Sequence, residues 1–404
     1  MGETRSKEFG MFRVGLVGLP RARSFAAAFR AQPDVEIVAG CDTDPETLQR
    51  ISDGLGIERQ FTDYEAFLDS GVDIVVIGTP MPFHVPQAVA ALRRGIHVLS
   101  EVPAMVDLKQ AWELVQAVRS SKAIYMMAEN YCYIQQVGIV REMVRQGLFG
   151  DLYYAEGENL HELKGLNEIT PWRRVWQTGV DGITYGTHSL GPLLWWFQDR
   201  VTEVSGFGSG HHYRDPRGSE YENEDTCMMV CRLAGGGLIR VRIDMLSNRP
   251  HLMTYYSLQG TKGCYEGPRG PGDMDKVWLA DRCGESEWRP LGGFAEEFMP
   301  ENWRTWREHA KKAGHGGGDL LEIVDLMTAI RGGVQPPVDV YTALDFSMPG
   351  LVSQESILRG GAPLPVPDYR AVKRFPDDLP EPLKVSRIMQ HATDDGQPAW
   401  HVEV

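Results

Sequence analysis

Five short apolar runs follow one another through the first third of the chain, and each is separated from the next by a longer spacer. They are FRVGLVG (12–18), VEIVAGCD (35–42), DIVVIGTP (73–80), HVLSEVP (97–103) and AIYMMAEN (123–130). The clearest spacers, VPQAVAALRRG (85–95) and LKQAWELVQAVRSS (108–121), carry the periodicity of amphipathic helices. Short strands alternating with such helices mean a parallel sheet covered on both faces. Residues 11–130 are therefore expected to form an α/β domain that ends near Asn130.

Beyond residue 150 the pattern changes. DLYYAEGENLH (151–161), VTEVSGFGS (201–209), TCMMVCRL (226–233), GLIRVRIDML (237–246) and MTYYSLQG (253–260) read as strands of a mostly antiparallel sheet. Helices are expected at THSLGPLLWWFQ (187–198) and DLLEIVDLMTAIRGG (319–333). Residues 131–360 thus form a second, α+β domain with a large open sheet. The Pro- and Asp-rich tail, 361–404, is expected to pack on the surface. A length of 404 residues supports two full cores, and 42% hydrophobic with 24% charged residues is ordinary for a globular protein.

The formal net charge of −14 argues against nucleic acid or an anionic membrane as partner, since both select basic patches. No run approaches the roughly 18 apolar residues of a membrane span. The start, MGETRSKEFG, has no apolar secretory core, so a cytoplasmic location is expected. Six cysteines (41, 132, 227, 231, 264, 283) lie scattered. Cys227 and Cys231 share one face of a strand without a metal-ligand pattern, so reduced thiols and no metal are expected.

The first run leads into a degenerate nucleotide-binding turn. A G-x-G-x-x-G turn starting at Gly18 would place glycine at 20 and 23, where this chain has Pro20 and Arg23. The order strand, tight turn, helix is nonetheless kept. The second run ends in Asp42, and an acid about 20 residues past the turn suits the ribose hydroxyls of NAD and repels the extra phosphate of NADP. A helix N-terminus after Gly18 would attract phosphate, with Arg21 and Arg23 adding charge. Thr79, Pro80 and His84, in GTPMPFH (78–84), fall where a cofactor would cross the sheet's carboxyl edge. Against this stands a Rossmann-like domain without a cofactor, in which Asp42 merely caps the helix opening DTDPETLQR.

GTPMPFH, SEVPA (100–104) and AENYCY (128–133) together resemble the conserved cofactor segments of the Gfo/Idh/MocA oxidoreductases, and the likeness spans about residues 11–370. The second half is similar to the NAD-dependent glycoside hydrolases of family 109, the α-N-acetylgalactosaminidases, in four stretches. These are REMVRQGLFGDLYYAEGENLHEL (141–163), YGTHSLGP (185–192), GHGGGD (314–319) and PPVDVYTALDFSMPGLVSQESI (336–357). The resemblance implies a Rossmann domain followed by a sheet carrying a sugar site, with NAD as cofactor, a carbohydrate as substrate and a homo-oligomer, dimer or tetramer. Two departures from the wider family bear on chemistry. Glu101-Val102-Pro103 replaces Glu-Lys-Pro, whose lysine polarises the hydroxyl being oxidised. His188-Ser-Leu-Gly191 replaces a His-x-x-Asp pair. Within the hydrolase branch, Asn159 stands where a tyrosine is expected.

Alternation on the strand 151–161 puts Ala155, Gly157, Asn159 and His161 on one face and Glu156 and Glu158 on the other. Small residues followed by two polar ones suit the floor and rim of a site. Glu156 and Glu158 thus face away from His161, and no carboxylate pair for ordinary glycosidase chemistry is recognisable. Tyr185, His188 and His161 are the candidate catalytic residues, His188 because an imidazole in the first helical turn exchanges protons near neutral pH. Asn159, His315 and Glu101 are candidates for the substrate. Gly18, Arg21, Arg23, Asp42, Thr79, Pro80, His84, Glu101, Asn130, Trp172 and Arg173 are candidates for the cofactor. Three readings follow: redox-neutral glycoside cleavage with tightly held NAD, an NAD-dependent sugar or polyol dehydrogenase, and a non-catalytic sugar or nucleotide sensor.

Overall fold

The computed structural model describes residues 10–393, so expectations resting on residues 1–9 and 394–404 lie outside the described residues. The apolar runs form β1 (Phe12–Val17), β2 (Val35–Cys41), β4 (Ile74–Ile77), β5 (His97–Ser100) and β6 (Tyr125–Met127). A sixth strand, β3 (Arg59–Phe61), has no apolar run to announce it: it is a three-residue edge strand with two exposed residues. The order is β3-β2-β1-β4-β5-β6, parallel throughout. This is the doubly wound order, with the ligand crevice at the carboxyl ends of β1 and β4, where the order reverses.

The second sheet is built from β7 (Leu152–Leu160), β8 (Val201–Gly208), β9 (Thr226–Leu233), β10 (Leu238–Asp244), β11 (Leu252–Gly260), β12 (Gly263–Glu266), β13 (Lys276–Leu279), β14 (Arg289–Pro290) and β15 (Leu364–Pro365). Its order is β14-β13-β12-β11-β7-β10-β9-β8-β15. The central β7–β10 pair is parallel and the others are antiparallel.

Helices Thr187–Phe197 and Val340–Leu358 cover one face of this sheet. Period-two alternation supplies their partners: Cys227, Met229, Cys231 and Leu233 on β9 and Ile239, Val241 and Ile243 on β10 are buried. Close approach demands glycine at two places. A Cβ on Gly157 would lie 2.5 Å from the Ser189 carbonyl oxygen, and one on Gly206 2.8 Å from that of Ser353. Trp195 and Trp196 are core residues. On the opposite face, Arg240 joins Glu156 and Glu158, and Arg269 lies 3.4 Å from Glu158 and 3.7 Å above the Tyr255 ring.

The chain then returns to the first domain. Helix Gly318–Gly332 packs on helix Ala26–Arg30, and Arg331 binds Asp34 at its far end. Phe375 stacks on Trp112 of helix Leu108–Ser120 at 6.1 Å. All six cysteines are free, four of them buried. Among the described residues no helix is long and apolar enough to cross a membrane, and no cluster of metal ligands occurs.

Candidate active site

Gly18 sits in the left-handed region at φ 70°, and a Cβ there would lie 2.5 Å from the Thr79 amide nitrogen. Gly78 would likewise meet the amide of Ala22 at 2.7 Å. These two glycines let the turns after β1 and β4 touch, which Pro20 and Arg23 do not disturb. The expected helix N-terminus is different from the reading above. Residues 19–30 form a one-turn helix Leu19–Ala22, a 3-10 turn Arg23–Phe25 and helix Ala26–Arg30. The Leu19 N–H donates to Asp42 Oδ2 at 3.0 Å, Pro20 has no N–H, and the Arg21 N–H donates to the Gly18 carbonyl. The first amides of that turn are already committed, so it does not present the anion cradle of a glycine-rich turn.

Arg21 departs from its expected phosphate role in the same way. Its guanidinium bonds Glu101, lies 3.6 Å from Asp319 and covers the Phe25 ring at 4.6 Å. Arg23 is exposed. Asp42 is not the cap of the next helix, since Asp44 accepts from the Thr47 amide in that place. Asp42 instead ties the two turns, accepting from Leu19 and, at 3.2 Å, from the Asp44 amide, with carboxylate lone pairs to spare. His84 is buried and spans the Thr79 carbonyl at 2.8 Å and the Pro103 carbonyl at 2.9 Å, so it clamps two loops from beneath; burial pulls its pKa down. The Thr79 hydroxyl is taken by Gln87, and Pro80 opens the 3-10 turn Met81–Phe83. At the end of β6, Asn130 gives its Nδ2 to Asp319, while its buried Oδ1 has no partner. The doubly wound crevice, the spare acceptors of Asp42 and the orphaned Asn130 oxygen fit a dinucleotide; the backbone turn contributes less than a glycine-rich one.

Around the same edge the structure gathers a chain of polar side chains. Tyr185 precedes helix Thr187–Phe197, and His188 sits in its first turn. The Tyr185 hydroxyl lies 3.5 Å from His188 Nε2, and His188 Nδ1 lies 2.7 Å from Glu129 Oε1. The Tyr131 ring rests 4.2 Å from the imidazole, and the Tyr256 hydroxyl donates to the His188 carbonyl at 2.6 Å. Burial, then the charge of Glu101, pushes Tyr185 up to about 12. A free phenolate is therefore scarce at neutral pH, about one part in 10⁵.

His161 lies one residue beyond β7, its N–H on the Asp244 carbonyl and its ring 4.6 Å from that of His251. Burial, then the neighbouring His251 and Arg173, lowers it to about 4. It is a neutral hydrogen-bonding group near pH 7. Arg173 follows Trp172 on helix Trp172–Trp176, stacks on that ring at 4.4 Å and is held by Thr170 at 3.0 Å and Gln177 at 2.6 Å. Burial lowers its pKa, and the charges of Tyr185 and Glu101 act against that. Asn159 is buried on β7, two residues before His161. Its face-mates Ala155 and Gly157 are not the floor of a cleft, because the helix bearing His188 covers that face: Ala155 is fully buried and Gly157 meets Ser189 and Leu193.

His315 adopts φ 48° and donates to Asp319 at 2.9 Å from an otherwise exposed ring. The glycines after it are closely packed: a Cβ on Gly317 would press on Trp303 at 2.6 Å and one on Gly318 would lie 2.4 Å from the Asn130 carbonyl oxygen. Asp319 sits in the first turn of helix Gly318–Gly332, whose N-cap is Gly317. It is buried, and although burial alone would raise it, its bonds to His315 and Asn130 and the charge of Arg21 bring it below the usual range. Sequence reasoning did not single out Glu129, Tyr131, Asp319 or the fully buried Glu322, whose carboxyl oxygens both lack partners. Burial, then Asp319 and Glu101, raises Glu322 far above a normal carboxyl. Only Glu129 carried a signal, as an acid at the carboxyl end of a core strand.

Known proteins bear on this geometry. Residues 12–129 match the model of the oxidoreductase family with NAD-binding Rossmann fold, and residues 133–374 match that of the glycosyl hydrolase 109 C-terminal domain. A glycosyl hydrolase family 109 protein of Saccharopolyspora erythraea is 31% identical over 396 residues, 88% of this chain and 83% of that relative. One of Streptomyces filamentosus is 32% identical over 390 residues, covering 88% and 77%. Among solved structures, a levoglucosan dehydrogenase in complex with NADH superposes with a TM-score of 0.77 at 19% identity, over 88% of this chain and 99% of that one. The WlbA dehydrogenase of Bordetella pertussis, in complex with NADH and UDP-GlcNAcA, gives 0.71 at 22%, over 89% and 98%. At such identities these show a shared fold. The Rossmann half and the family-109 half together cover nearly all of the sheet architecture described above, and the chain belongs to glycosyl hydrolase family 109 within the NAD-dependent Gfo/Idh/MocA oxidoreductases.

Proposed function

We propose that this enzyme cleaves a hexoside without net oxidation, using NAD that stays bound. The observation that carries the reading is a pairing of an absence with a presence. Val102 is buried where a dehydrogenase of this family would have its lysine, while Tyr185, His188 and Glu129 form a hydrogen-bonded chain beside Glu101. Such a chain suits removal of a proton from carbon better than oxidation of a hydroxyl.

Bound NAD supplies a two-electron acceptor that can take hydride from C3 of a sugar and later return it. The protein's own groups do the rest. Neutral His161 accepts the proton of the C3 hydroxyl as the hydride leaves C3, then donates it as a hydrogen bond to the ketone oxygen and returns it on reduction, while Arg173 orients that oxygen. Tyr185, passing its proton to His188, accepts the hydrogen on C2, which a C3 ketone makes acidic. The electron pair left on C2 expels the group at C1, water adds in its place, and the protons retrace their route. Glu101, Asn159 and the rim residue His315 hold the remaining hydroxyls. No carboxylate pair flanking the scissile bond is required.

The open face of the second sheet, with its Glu156–Arg240–Glu158–Arg269 network, is read as the contact with another copy of the chain, giving a dimer or tetramer. Absorbance at 340 nm tests the function. Aryl hexoside cleavage without lasting NADH supports it, whereas NADH accumulating in step with product makes the protein a dehydrogenase.

A further inference from the structure

Glu129 lies two residues past β6 in the first domain, is fully buried, and stands 59 residues before the histidine it touches. Its Oε1 accepts from the Tyr131 amide at 3.3 Å and faces His188 Nδ1 at 2.7 Å; its Oε2 has no hydrogen-bond partner. A buried carboxylate with an idle oxygen is costly for the fold, which points to a use outside stability. One turn beyond His188 on its own helix stands Gly191, which carries no side chain that could face the imidazole. A Cβ on Gly191 would lie 3.0 Å from Glu129 Cγ and 3.1 Å from the Phe346 ring. The room beside the imidazole that a carboxylate at 191 would use, three residues on and on the same helix face, is filled by Glu129.

Resting on the reading of Tyr185 and His188 given above, we propose that Glu129 is the positioning carboxylate of His188, supplied from the first domain in place of an acid on the histidine's own helix. A neutral imidazole has one N–H. With Glu129 accepting from Nδ1, the lone pair of Nε2 is turned toward the Tyr185 hydroxyl. As the phenol oxygen forms its bond to the substrate proton, the Tyr185 O–H bond breaks and that proton joins Nε2. The imidazolium so formed is held against the Glu129 carboxylate, and return of the proton restores every group. Because the acid and the histidine come from different domains, their alignment depends on how the two pack.

The test uses the full chain carrying NAD. Glu129→Gln keeps the shape but offers Nδ1 a donor as well as an acceptor. We expect kcat on an aryl hexoside to fall roughly 10²- to 10⁴-fold with KM within a few-fold and NAD content retained, as for loss of a histidine-orienting partner. ¹⁵N-histidine NMR should show His188 protonated at Nδ1 in the wild type, and at Nε2 in the variant. Glu129→Ala combined with Gly191→Asp should recover part of the lost kcat. Wild-type kcat in Glu129→Gln, or Nδ1 protonation that survives the substitution, overturns the proposal. If Glu129→Gln does not fold, the wild-type spectrum decides, and an Nε2–H tautomer overturns it. The NMR reads the imidazole whatever the reaction is, so a wild type that leaves hexosides intact defeats the proposed function and not the role of Glu129.

Discussion

Gly157→Ala probes how the sheet places His188. The added methyl would lie 2.5 Å from the Ser189 carbonyl oxygen and 3.2 Å from Leu193 Cδ1. Ordinary contact needs about 3.5 Å, so the helix carrying His188 must retreat from β7 by about 1 Å. Overpacking of this kind costs about 1–3 kcal/mol. The same movement shifts His188 against Glu129, which comes from the other domain, and so disturbs the geometry of their 2.7 Å contact. A displacement of that size can lower kcat about 10²-fold. Urea unfolding and steady-state kinetics on the purified variant measure both quantities. Unchanged stability together with kcat within twofold of wild type would refute the argument that Gly157 sets the helix.

Other expectations are as direct. His161 is lowered to about 4, so its neutral form belongs to the folded state. Its contribution is complete above the unfolded value near 6.5 and fades as pH falls toward 4, by up to about 3 kcal/mol. His161→Gln should therefore lose less stability than wild type between pH 7 and 4.5 in urea titrations, and equal losses contradict this. Asp325 has the opposite sign: burial raises it to about 6, so stability present below about pH 4 is lost as pH rises through 6. Asp325→Asn should raise the melting temperature at pH 8, by the equivalent of about 1–3 kcal/mol, and leave it little changed at pH 4; equal shifts at both pH values refute it. Asp42→Ala should narrow the preference for NAD over NADP in calorimetric titrations, and a preference that survives intact removes Asp42 from the ribose site.

Much of this architecture is legible in the chain because it is written in periodicity. β1, β2, β4, β5 and β6 are apolar runs between helical spacers, and β9 alternates residue by residue. β3 escaped because an exposed three-residue edge has no pattern to read. β12 to β14 escaped because they are short. The turn after β1 was legible as to place and not as to detail. Gly18 marks it, but only the fold shows that Asp42 takes the Leu19 amide and that Glu101 takes Arg21. The reach of His188 to Glu129 is a contact between domains, and no local spacing encodes it. His161, Tyr185 and Arg173 lie on three separate elements, the end of β7, the loop before the helix bearing His188 and the short helix after Pro171, and local spacing cannot show that their charges act on one another.

The central claim is that C2 of the sugar exchanges its proton during a cleavage that consumes no NAD. Turnover of an aryl hexoside in D₂O, with the released sugar analysed by ¹H NMR, tests it most directly. The account predicts deuterium at C2, cleavage running well beyond the amount of bound cofactor, and no net NADH. Cleavage with C2 unlabelled would contradict it.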